Sequence, residues 1–84
     1  MKHKIMSIKD RAIDAFSRPF ATPTIGAAVR AFSDAINDPT QEMNKHPDDY
    51  DLHELGDFDD STGEIFMTGP IQVAIGKQFI IKKD

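Results

Sequence analysis

Between Pro23 and Pro39 the chain carries one helical stripe, and the rest of the sequence has to be arranged around it. Thr24 is a good N-cap, and Pro23 discourages any earlier start. Ile25, Ala28, Val29, Phe32 and Ile36 fall at i, i+3, i+4, i+7 and i+11, one face of a helix over about 24–37. Arg30, Ser33, Asp34 and Asn37 take the other side, and Asn37-Asp38-Pro39 ends the run. A single apolar stripe has to be buried against something else, and the remaining apolar residues have strand periodicity.

Lys4-Ile5-Met6-Ser7-Ile8-Lys9 mixes β-branched and polar residues over strand length. Phe16 to Pro23 contains two prolines four apart, which predicts an extended loop presenting Phe16 and Phe20. Residues 38–49 read as loop or a short helical turn. Tyr50 to Phe58 then alternates, but Leu52 and Leu55 have opposite parity, which a bulge near Leu55-Gly56 would reconcile. Asp59-Asp60-Ser61-Thr62-Gly63 is turn chemistry, with Gly63 suited to a left-handed position. Glu64 to Thr68 returns as the partner strand, and Gly69-Pro70 is expected to break it. Ile71, Val73 and Ile75 form a further strand, Phe79-Ile80-Ile81 one more, and Lys82-Lys83-Asp84 a solvated tail. The expected fold is α+β: a small, mostly antiparallel sheet of four to five strands with one main helix. The strand order fits an OB-like barrel or a helix across an open sheet.

Eighty-four residues make one domain, 1–84, with 1–3 and 82–84 as flexible ends. There is no cysteine, which removes disulfides, zinc fingers, thiol nucleophiles and iron–sulfur clusters together. So small a core without a staple favours self-association, and a homo-oligomer is expected. No apolar run is long enough for a signal peptide or a membrane span, so the chain is expected to stay in the cytoplasm where it is made and to meet no membrane.

The formal net charge of -4 argues at first against a nucleic-acid partner, but the charge is unevenly placed. Residues 48–64 hold eight acids (Asp48, Asp49, Asp51, Glu54, Asp57, Asp59, Asp60 and Glu64) and neither Lys nor Arg, leaving ten cations against six acids, a net of +4, elsewhere. Single-strand binders combine basic side chains that track phosphates with aromatic faces on which bases stack. Lys4, Lys9, Arg11, Phe16, Arg18, Phe20, Arg30 and Lys77 are the candidate nucleic-acid contacts, with Phe16 and Phe20 flanking Arg18 in a proline-stiffened loop. The plainer account is that the two phenylalanines cover a small core and that the acidic hairpin is a solvated, charge-protected edge.

Catalysis and cofactors find little support. Counted from Asp57, a calcium loop would need glycine at Thr62 and glutamate at Thr68, so an EF-hand is rejected. His46 and His53 straddle a strand boundary and read as surface histidines rather than metal ligands. There is no Gly-rich phosphate loop or nucleophile elbow, and carboxylates in a turn are not tuned for acid–base work. The expectation is a protein that is not an enzyme and holds no metal or cofactor.

Pro19-Phe20, Pro23-Thr24-Ile25-Gly26, Arg30-Ala31-Phe32-Ser33-Asp34, Asn37-Asp38-Pro39, Lys45 to Tyr50, Gly56 to Asp59 and Thr62 to Ile65 follow one another in a known order. Over about residues 16–65 the chain resembles the small non-structural DNA-binding protein of gokushovirus-type microviruses (Microviridae), which are single-stranded DNA bacteriophages. The resemblance implies a non-structural phage protein in the host bacterial cytoplasm that binds single-stranded DNA. Its implied roles are viral DNA replication, the switch to single-strand synthesis, or DNA packaging, with phage or host replication and packaging proteins as further partners. The alternative is an adaptor that offers the acidic hairpin 48–64 to a basic partner among the replication or procapsid components.

Overall fold

Alternation in the first ten residues builds the strand on which the sheet assembles. In the computed structural model, which describes residues 1–79, β1 (Lys2–Asp10) pairs along its whole length. Its other edge is shared by two short strands, β2 (Ala15–Phe16) and β3 (Phe20–Thr22). The return after β1 is made by an aspartate turn: Asp10 Oδ1 accepts from the Ala12 N–H at 3.0 Å, and Asp14 takes a left-handed φ of 53°. Helix α1 (Ile25–Ile36) follows, capped by Thr24 Oγ1, which accepts from the Ala27 N–H at 3.1 Å. A short helix α2 (Glu42–Lys45) and a 3-10 turn over Pro47–Asp49 lead into the hairpin of β4 (Tyr50–Asp59) and β5 (Glu64–Ile75).

The strand order is β2-β1-β4-β5, with β3 beside β1, and every pairing is antiparallel. The sheet curls into a half-barrel around α1, so the fold is α+β with one main helix. Among the described residues it stays open, since no pairing joins β5 to β2 or β3. Ala28, Phe32 and Ile36 of α1 bury against Met6, Leu52 and Ala74 of the sheet, and Ile8, Phe20, Val29, Met43, Tyr50, Val73 and Phe79 close around them. The core sits at one end of a molecule measuring 49 × 24 × 19 Å. The other end is the hairpin tip, where Ile65, Phe66 and Met67 are exposed.

Several expectations change. The helix, the bulge between Glu54 and Gly56 and the left-handed Gly63 (φ 77°) stand as read. Gly69-Pro70 does not break the strand. Pro70 lies on an edge strand, where a missing N–H costs no ladder bond, and the extra residues fall opposite the bulge in β4. At that bulge the strands nearly touch: a Cβ on Gly56 would lie 2.1 Å from the Phe66 carbonyl oxygen. The loop expected over 16–23 begins on the last residue of β2 and contains β3, because the β1 edge offers its backbone hydrogen bonds there. At the expected loose N-terminal end, Lys2 and His3 already pair with Asp59 and Phe58. The short strand expected at 79–81 and the tail at 82–84 lie, beyond Phe79, outside the described residues, and Phe79 itself ends a 3-10 turn, Gly76–Phe79.

Candidate nucleic-acid interface

Alternation along β1 gives the sheet two unlike faces. Met6 and Ile8 turn toward α1 and the core, so His3, Ile5, Ser7 and Lys9 turn to the helix-free face. On that second face the Lys9 ammonium lies 5.5 Å from the centroid of the Phe16 ring, and Phe16 meets the His53 ring edge-on at 5.2 Å. Farther toward the hairpin tip, the His3 and Phe58 rings lie 6.3 Å apart. Four flat side chains from β1, β2 and β4 are thereby distributed over one face.

The segment after Phe16 is clamped to β1 by a serine pair. Ser17 N–H donates to the Ile8 carbonyl at 2.7 Å, and Ser17 Oγ accepts from the Ile8 N–H at 3.0 Å. The fully buried Ser7 donates its hydroxyl to the Ser17 carbonyl at 2.8 Å. These bonds fix the backbone leading into Arg18, which is exposed between Ser17 and Pro19.

The eight residues expected to contact nucleic acid divide into three groups. Lys9 and Phe16 are brought together, although Lys9 also pairs with Asp14 at 3.2 Å, and Arg18 is exposed two residues after Phe16. Lys4 and Arg11 are engaged by the acidic stretch. Lys4 Nζ lies 2.9 Å from Asp57 and 3.6 Å from Glu54, and Arg11 Nε lies 3.0 Å from Asp51 while its terminal nitrogen reaches the Asp48 carbonyl. The hydrogen bond to Asp57 holds the Lys4 ammonium above the ordinary lysine range, against a smaller opposing effect of burial. Phe20 packs on the core, and Arg30 and Lys77 stand exposed on α1 and on the closing turn. Lys2, Arg18, Arg30 and Lys77 form no ion pair among the described residues.

Four of the eight acids in the stretch, Asp51, Glu54, Asp57 and Asp60, are therefore internal counter-charges. Asp51 is 3% exposed beneath Arg11, and its Oδ1 has no hydrogen-bond partner among the described residues. Asp60 binds the Met1 ammonium at 2.8 Å and His3 at 2.9 Å, and these bonds hold its carboxyl below the usual range. Asp59 is lowered likewise by the Ser61 hydroxyl and backbone.

Sequence reasoning missed His53 and Phe58. Both depend on cross-strand register through the bulge, and no spacing in the chain reports which residue faces Phe16. It also missed a cavity of about 310 Å³ between β2 and α2, lined by Ile8, Ile13, Phe16, Met43 and Tyr50 with Asp10 and Glu42 among its polar groups. Burial first, and then Asp10, pushes the Tyr50 hydroxyl up. With carboxylates and no lysine or arginine in its lining, this hollow suits an apolar group and repels phosphate. Among the described residues no cluster of three His, Asp or Glu is placed to hold a metal, and no helix is long and apolar enough to cross a membrane.

A family model described as Phage ORF5 protein matches residues 3–79. No curated protein and no solved structure matches the chain.

Proposed function

The chain belongs to the Phage ORF5 protein family, and on that premise we propose that it is a non-enzymatic single-stranded DNA-binding protein of a gokushovirus-type phage. It acts in the host bacterial cytoplasm, as an oligomer, in viral DNA replication, the switch to single-strand synthesis, or packaging. The observation that carries this reading is the contiguous Lys9–Phe16–His53 group on the helix-free face, with Arg18, exposed and in no ion pair among the described residues, two positions after Phe16 in the chain. A flat ring under a cation can take a base by stacking while the neighbouring guanidinium takes a phosphate, and neither contact reads sequence. Lys4 and Arg11 have a different task, which is to neutralise the acids of β4 so that the sheet can approach a polyanion. The adaptor reading is less well supported, because Asp51, Glu54, Asp57 and Asp60 are turned to internal cations rather than outward to a basic partner.

The test is fluorescence anisotropy of a labelled oligothymidylate across a salt series starting at 50 mM. Log K should fall linearly with log salt, and Arg18→Ala should shallow that slope by about one phosphate contact. Phe16→Ala should weaken binding by about 1–3 kcal/mol, roughly 5- to 150-fold, at every salt concentration. Lys4→Ala, which uncovers the charges of Glu54 and Asp57, should weaken binding less than Phe16→Ala does. No binding at 50 mM salt, or binding without a salt slope, overturns the proposal.

A further inference from the structure

We propose that the outer edge of β5 pairs antiparallel with the same edge of a second copy of this chain, about a two-fold axis at Phe66. This deepens the oligomeric part of the reading above by naming the interface, and it does not depend on DNA being the ligand.

The edge is open: among the described residues β5 pairs with β4 alone. Exposed edges are ordinarily defended by charged side chains, proline or bulges. Here no Asp, Glu, Lys or Arg occurs from Ile65 through Gly76. Proline and the bulge occupy 68–70, which leaves 65–67 as a regular run with no charged residue of its own, the nearest cation being Lys2 of β1, 5.7 Å from the Phe66 ring centroid. Ile65, Phe66 and Met67 are 60%, 45% and 65% exposed. Together they present on the order of 300 Å² of apolar surface, divided between the two faces of the strand.

Self-pairing also fits residue by residue. Phe58 is opposite Ile65 and Asp57 is opposite Phe66, so Ile65 and Met67 share the helix-free face and Phe66 takes the other. A two-fold axis normal to the sheet keeps each face on its own side. Centred on Phe66, it sets Phe66 against the partner's Phe66 and Ile65 against the partner's Met67, twice. Glu64 then faces the partner's Thr68, so no two charged residues of β5 are set opposite each other. Moving the axis to Met67 would set Phe66 against Thr68 and Glu64 against Pro70, losing the apolar pairs. Pairing covers the flanks of these side chains and the open backbone edge on both copies, while their outer surfaces stay on the sheet faces, which makes a small interface. One sheet would then run through both copies, with two Lys9–Phe16 groups on a single helix-free side.

The test uses the whole chain without DNA, so a failure to bind DNA leaves its outcome untouched. Sedimentation equilibrium should give a dimer at about 100 µM, and Met67→Lys or Ile65→Lys should give a monomer with an unchanged circular dichroism spectrum. The chain has no cysteine, so Phe66→Cys introduces one thiol on the axis. Under mild oxidation it should form a disulfide dimer at least about tenfold faster than Ile13→Cys, which is 70% exposed and lies off the edge. A monomer at that concentration, an assembly of no defined mass, a dimer that survives both lysine substitutions, or equal cross-linking at positions 13 and 66 overturns the interface.

Discussion

The two ends of the β4–β5 pair are made of similar residues and live in opposite surroundings. At one end Leu52 and Ala74 are opposite each other and buried beneath α1, at 0% and 5% exposed. At the other Phe58 and Ile65 are opposite each other with no helix over them, and Ile65 is 60% exposed. The same backbone ladder therefore supports a core in one half and an unpartnered apolar strip in the other. Hydrogen bonding alone does not justify a hairpin this long, since each bond contributes only about 0.5–1.5 kcal/mol net. The distal half makes better sense as surface meant to be covered.

The largest test of that contrast is truncation. Phe32→Ala empties the centre of the core and should cost about 3–5 kcal/mol in urea unfolding. Ile65→Ala, measured at a dilution where the chain is monomeric, should cost no more than about 0.5 kcal/mol. Comparable losses at the two positions would erase the difference between the halves.

Ion pairs sharpen it at a smaller scale. Arg11–Asp51 and Lys4–Asp57 have nearly equal lengths, 3.0 and 2.9 Å, yet the Asp51 side chain is 5% exposed and that of Asp57 is 22%. Arg11→Ala leaves a buried carboxylate without its partner and should cost about 1–3 kcal/mol. Adding Asp51→Asn should restore much of that loss, because the stranded charge is gone. Lys4→Ala, out on the projecting strands, should fall within the error of the measurement.

What the sequence showed and what it hid follow the same division. The helix, its Thr24 cap, the bulge at Leu55-Gly56 and the turn ending in Gly63 are local, written in spacing and in residues with special backbone preferences. The identity of paired cations is not local. Lys4 and Arg11 look available until β1 lies antiparallel to β4 and places them beside carboxylates 53 and 40 residues away in the chain. Phe16 and Phe20 looked equivalent for the same reason. One ended on the helix-free face against His53 and the other on the core, and only the crossing fixed by Ser7 and Ser17 decides between them.

The smallest expected effect concerns the hairpin tip and its pH limits. Asp59 and Asp60 are held below their ordinary values, so what they contribute is complete above the unfolded aspartate pKa and is lost as pH falls through the lower folded values, below about pH 4. The Met1 ammonium is shifted up by its bond to Asp60, so its contribution is complete below the unfolded amine pKa, about 8, and is lost as pH rises through the higher folded value. Both limits should appear as local changes in the amide shifts of Ser61 and Gly63. The core carries most of the stability and none of these groups, so the melting temperature should move by no more than about 2 °C between them. Asp60→Asn should abolish the alkaline limit and leave most of the acidic one, because Asp59 keeps its bonds to Ser61. A melting temperature that follows the tip amides through either limit would mean that the two halves unfold as one, and the distinction between them would fail.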